Sequence, residues 1–155
     1  MVTSPTPLAA GAEPVVDGLP PRIVFFDGEC VFCNNTVRWL IPRDPEGRLR
    51  FAPLGGTTAA ALRSAHPRDF PGHENTIVYA ELSTPRPCFL LRSRAAFAVL
   101  ETLGPLPWYL RVLRALPAWL SDLGYRAFAR LRHRIFGRLD TCPVPSPDLR
   151  ARFLP

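Results

Sequence analysis

Two cysteines separated by two residues, Cys30 and Cys33, are the side chains in this sequence whose type and spacing do chemistry most directly. A disulfide needs Cβ atoms about 3.5 to 4.5 Å apart, whereas residues three apart inside a regular helix sit roughly 5 to 6 Å apart. Such a pair therefore closes best at the first turn of a helix. There the unpaired backbone amides and the positive end of the helix dipole favour a thiolate on the leading cysteine. That placement makes Cys30 the expected nucleophile and Cys33, one turn deeper, the expected resolving thiol. The surrounding residues supply the elements: Ile23-Val24-Phe25-Phe26 is a continuous apolar run of the kind buried on both faces of a sheet, and an amphipathic stretch follows the cysteines.

A CxxC pair also serves zinc. Four ligands are then needed, normally including a second closely spaced pair. Only the isolated Cys88 and Cys142 and the scattered His66, His73 and His133 are on offer. The metal alternative is a module built from Cys30, Cys33, Cys88 and Cys142, and the redox reading, which requires no cofactor and no metal, is set against it.

The remaining pattern predicts an α/β chain. A strand over Ile23 to Phe26 leads into a helix carrying Val31, Val37, Trp39, Leu40 and Ile41 that ends near Pro42, since proline has no amide donor. Leu49 to Ala52 reads as a second strand and Thr57 to Ala65 as a second helix, stopped before Pro67. Strands at Thr76 to Ala80 and Cys88 to Leu91 flank a Ser-Thr-Pro-Arg-Pro turn and read as a hairpin, and Ser93 is the expected N-cap of a helix closed by Gly104. The order βαβαββα resembles a thioredoxin-like domain. From Trp108 the chain turns helical, with a break at Pro117, and Leu120, Leu123, Ala127, Phe128, Leu131 and Ile135 read as a stripe packed on the core with Arg126, Arg130 and Arg134 opposite.

Length and composition are those of one globular domain: 155 residues, 47% hydrophobic, with four cysteines. Residues 1–21 read as a flexible leader and residues 22–155 as the domain, including a helical extension over about 105–140 and a tail. Four cysteines are too few for a secreted disulfide scaffold and the N-terminal residues lack a signal-peptide pattern, so a cytoplasmic, reducing setting is expected. The net charge of +6 comes entirely from Arg, with no Lys in the sequence. This pattern, together with abundant Ala and Pro, points to codon bias rather than to nucleic acid as a partner. The helical half is richest in Arg and is apolar enough to raise a bilayer question, but its Arg residues exclude a spanning helix. A surface-bound domain with the CxxC as a redox switch is the second alternative.

Asp27-Gly28-Glu29-Cys30-Val31-Phe32-Cys33-Asn34, followed by Trp39-Leu40, Arg43-Asp44 and Arg50-Phe51-Ala52-Pro53-Leu54, resembles the DCC family of thiol-disulfide oxidoreductases, named for a DxxCxxC signature. The likeness continues through Ser93-Arg94-Ala95-Ala96, Pro107-Trp108 and the tail around Cys142 and Phe153, so it spans essentially residues 22–154. It implies a thioredoxin-like fold, thiol-disulfide exchange on a disulfide-bearing protein or small thiol, and an external thiol reductant. Family members joined to membrane proteins leave a membrane-proximal partner open.

Asp27, three residues before Cys30, has two readings: a proton acceptor for Cys33, or an Asx turn that holds the strand-to-helix junction. Cys142 reads as a small residue packing the tail, with a third thiol over the site as the alternative. Cys88, Trp108 and Trp119 read as packing residues, and the three histidines as surface or loop residues. Where many thioredoxin-like domains place a cis-proline facing the dithiol, this chain has Asn75 and Thr76, which implies a different way of holding substrate.

Overall fold

A computed structural model describes residues 18–71, 76–138 and 147–155. The leader up to residue 17, the loop containing His73 and Asn75, and Cys142 lie outside these residues, as does the side chain of His133. The elements in order are β1 (Arg22–Phe26), α1 (Val31–Leu40), β2 (Arg50–Pro53), α2 (Thr57–Ala65), β3 (Val78–Glu81), β4 (Cys88–Leu91), α3 (Arg92–Leu103), α4 (Trp108–Ala115), α5 (Ala118–Phe136) and α6 (Pro147–Arg150). A tight helical turn at Ile41–Arg43 follows α1, where Pro42 removes the donor needed to go on.

The four strands form one sheet in the order β2-β1-β3-β4. β1 runs parallel to β2, with Val24 opposite Phe51, and antiparallel to β3, with Val24 opposite Tyr79; β3 and β4 form the expected hairpin. The strand order and the flanking helices make this a mixed, thioredoxin-like α/β sheet. Alternation along β1 divides the core. Val24 and Phe26 join Val37, Leu40, Phe51 and Val99 on one face, and Ile23 and Phe25 join Ala59, Leu62, Phe70 and Val78 on the other. The unbroken apolar run of β1 is thus explained by burial on both sides.

Residues 147–155 return to the free edge of β2. Phe51 donates its N–H to the Arg152 carbonyl (2.9 Å), Leu154 donates to the Phe51 carbonyl (2.8 Å), and Thr58 at the start of α2 donates to the Pro155 carbonyl (2.9 Å). A Cβ on Gly56 would lie 2.8 Å from the Pro155 carbonyl carbon, so the close approach of the tail requires glycine there. Arg152 is fixed by the buried carboxylate of Asp44, which also accepts the Arg48 and Leu49 amides.

Several expectations are corrected. The helix after β4 begins at Arg92, and the Ser93 hydroxyl, instead of capping it, donates to Asp122 Oδ1 (2.7 Å) on α5. β3 begins at Val78 rather than Thr76, because the Ile77 amide is taken by the Tyr125 hydroxyl (3.0 Å). Cys88, Trp108 and Trp119 are exposed, whereas His66 is buried against Phe89. Of the α5 stripe only Phe128 packs inward, on Phe32; Leu120, Leu123, Ala127, Leu131 and Ile135 are exposed with Arg126, Arg130 and Arg134 beside them rather than opposite, and Ser121, Asp122, Tyr125 and Arg132 face in with Phe128.

Candidate functional site

β1 ends at Phe26 and hands the chain to a tight turn in which the Cys30 amide donates to the Asp27 carbonyl (3.2 Å). Asp27 Oδ1 accepts the Glu29 amide (3.1 Å), which is the Asx turn foreseen for this position. Cys30 is the N-cap of α1, extended at φ −89° and ψ 117°, and its Sγ accepts the Cys33 N–H at 3.4 Å. A thiol sulfur thus fills the role that a Ser or Asp oxygen usually fills at a helix start. Asn34 braces the turn from below, donating to the Gly28 carbonyl (2.8 Å) and the Cys30 carbonyl (3.1 Å). The Cys33 N–H thus points at the Cys30 sulfur at the positive end of the α1 dipole.

The other wall comes from α5. Arg132, only 3% exposed, places Nη1 3.2 Å from Cys33 Sγ and Nη2 3.2 Å from Asp27 Oδ2. One guanidinium therefore joins both remaining members of the DxxCxxC signature. Phe32 on α1 holds α5 in place through ring contacts with Phe128 (4.8 Å) and Phe136 (5.1 Å). Cys33 opens onto an almost wholly apolar cavity of about 210 Å³ between β1, α1 and α5, lined among others by Phe26, Ile77, Tyr125 and Phe128.

The two sulfurs differ in environment. Cys30 is 0% exposed, paired through its backbone with Arg138 beyond the end of α5, while Cys33 is partly open. Cys30 thus has no solvent access in this arrangement, where the chain just past α5 bridges to its backbone. The Cys33 thiol is pushed up to about 12, chiefly by burial and then by its hydrogen-bonding contact with Cys30, with Arg132 pulling the other way.

Cys88 stands elsewhere. It pairs with Glu81, which pairs with Arg22, so it lies level with the end of β1 far from the dithiol. The four residue steps from Arg22 to Phe26 alone separate the two by about 13 Å along the strand. Cys88 cannot share a metal ion with Cys30 and Cys33, and among the described residues no three His, Cys, Asp or Glu side chains converge. The described part of the tail runs to the β2 edge rather than over the dithiol.

Sequence reasoning located Asp27, Cys30 and Cys33, which the structure brings together, and missed Arg132, Tyr125 and Asn34. Arg132 was one Arg among nineteen. The available signal was the i, i+3, i+7 spacing of Tyr125, Phe128 and Arg132, which marks one helix face as surely as a leucine stripe does.

The model of the DCC1-like thiol-disulfide oxidoreductase family matches residues 24–138, a span that contains the dithiol, Asp27 and Arg132. A Bacillus subtilis protein, YuxK, described as uncharacterized, is 35% identical over 140 residues, covering 88% of this chain and 96% of that protein. A chloroplastic DCC family protein of Arabidopsis thaliana is 26% identical over 123 residues, covering 79% of this chain and 69% of that one. No solved structure matches.

Proposed function

The chain belongs to the DCC1-like thiol-disulfide oxidoreductase family, and from that premise we propose that it reduces disulfides with Cys30 as nucleophile and Cys33 as resolving thiol. The observation that carries this is the Cys30 sulfur at the cap of α1, accepting the Cys33 amide. The Cys30 thiolate attacks one sulfur of a substrate disulfide, forming a mixed disulfide and expelling the other sulfur as a thiolate. Cys33 then loses its proton and attacks the Cys30 sulfur. The substrate's second thiolate departs, and Cys30 and Cys33 are left oxidised by two electrons. A thiol reductant from outside the protein restores the dithiol.

Arg132 serves the second step. Its guanidinium stabilises the Cys33 thiolate as it forms, against the burial that otherwise keeps the proton on. Asp27, whose charge is felt at the Cys33 sulfur, is the acceptor we assign to that proton. The expected setting is a reducing compartment such as the cytoplasm, in which the dithiol donates electrons rather than accepts them.

Oxidised glutathione is a sufficient probe. A Cys33→Ser variant is expected to accumulate a glutathione adduct on Cys30, seen by mass spectrometry, because the mixed disulfide forms and is not resolved. A Cys30→Ser variant is expected to form its adduct far more slowly. Adduct formation by Cys30→Ser alone would reverse the assigned roles, and none in either variant would remove the redox reading.

A further inference from the structure

The outer side of α4 and α5 is the part of the molecule that thiol chemistry leaves unused. No side chain of α4 is buried; Trp108 is 76% exposed, and Tyr109, Val112 and Leu113 are open on the same arc. Arg114 turns the other way, onto Glu101 of α3. α5 continues the surface with Trp119, 70% exposed, and with Leu120, Leu123 and Leu131 beside Arg126, Arg130 and Arg134. Arg111, Arg126, Arg130 and Arg134 make no ion pair among the described residues. Asp122, the single acidic residue between Trp108 and Phe136, is turned inward onto Ser93.

Such a surface is too apolar for water and too charged for a protein core. It fits the boundary of a bilayer, where guanidinium groups meet phosphates, indole rings sit at headgroup depth and leucine side chains reach the first acyl carbons. We propose that the outer face of α4 and α5 seats this protein on the surface of a bilayer containing anionic lipid. Charge decides between occupants. A second copy bound through the same face would set unpaired Arg residues against their own equivalents, whereas anionic headgroups neutralise them. No helix among the described residues is long and apolar enough to cross a membrane, so attachment is along the plane.

The probes are sucrose-loaded phosphatidylcholine vesicles with and without phosphatidylglycerol, sedimented with the full chain. Binding is expected with phosphatidylglycerol only, and it should fall steeply as salt rises from about 0.1 M to 1 M and the screening length contracts from about 10 Å to 3 Å. Replacing Arg126, Arg130 and Arg134 together by Gln should weaken partitioning about fivefold per residue, roughly a hundredfold in all. All three are exposed, so thermal melting should be unchanged. Tryptophan emission should shift to the blue on binding, and should still do so in a Trp39→Phe variant, leaving Trp108 and Trp119 as the reporters. A Cys30→Ser variant should bind as the unaltered chain does, which separates this surface from the redox reading. Failure to sediment with anionic vesicles, wild-type partitioning by the triple variant, or a stable dimer whose amide exchange protects α4 would each overturn the proposal.

Discussion

Cys33 carries a consequence for stability that its redox role does not require. Its thiol is held near 12 in the folded chain, against an ordinary value of 9.0. Above pH 9 the unfolded chain gives up this proton and the folded chain keeps it, so the unfolded state binds fewer protons and stability falls as pH rises from about 9 toward about 12. Below pH 9 both states hold the proton and this group contributes no slope. We expect a Cys33→Ser variant to lose less stability between pH 8 and pH 10 than the unaltered chain, measured from urea midpoints under reducing conditions. Equal losses in both proteins would show that Cys33 is not held protonated by its surroundings. The residue-scale reading of the sequence was strongest here: the CxxC spacing together with an apolar run before it places a sulfur at a helix cap through local geometry alone. Arg132 was not legible in that way, because what selects it from nineteen Arg residues is a tertiary neighbour, the Asp27 carboxylate.

At the scale of elements, what was legible and what was not divide by where the instructions lie. The extent of α2, Thr57–Ala65, follows from its own composition and from Pro67, and the burial of β1 on both faces follows from its unbroken apolar run. The orientation of α5 does not follow from its own sequence. Periodicity defines two faces, one leucine-rich and one carrying Ser121, Asp122, Tyr125 and Arg132, and the second faces inward because the core offers it partners. Those partners are the Ile77 amide, the Ser93 hydroxyl, the Asp27 carboxylate and the Cys33 sulfur. Buried polar groups at strand and helix ends must be satisfied, and a leucine face cannot do it. The tail was legible as belonging with the rest but not as an addition to the β2 edge. There Phe153 packs on Phe51 (5.8 Å) and Phe26 (6.3 Å). We expect Phe153→Ala to cost about 2 to 4 kcal/mol of unfolding free energy, toward the low end of the range for a buried ring because Phe153 is only partly covered. A change below the scatter of denaturant titration would mean that the tail contributes no packing to the core.

Over the whole molecule, α5 is shared between two surfaces: its inner side closes the dithiol and its outer side is the Arg-rich apolar layer. Cys30 has no solvent access while the end of α5 and Arg138 lie over it, so any reagent or substrate that meets its sulfur must first meet a molecule in which that end has lifted. Local opening of this kind is governed by the contacts that the moving element breaks. These include, deeper in the site, the Arg132 contacts with Cys33 and Asp27 and, nearer the end of α5, the ring contacts of Phe32 with Phe128 and Phe136, while the Arg138–Glu29 ion pair is more than half exposed on both partners and adds little. An aromatic pair contributes about 0.5 to 1.5 kcal/mol beyond its buried area, which corresponds to about a two- to tenfold change in the open population. Phe128→Ala is therefore expected to raise the rate at which iodoacetamide labels Cys30 by at least that factor, read by mass spectrometry of the labelled peptide, while Arg138→Ala leaves the rate nearly unchanged. A Cys30 labelling rate that ignores Phe128→Ala would mean that the sulfur is reached by a route that does not involve α5, and that the helix is a fixed wall of the site rather than its cover.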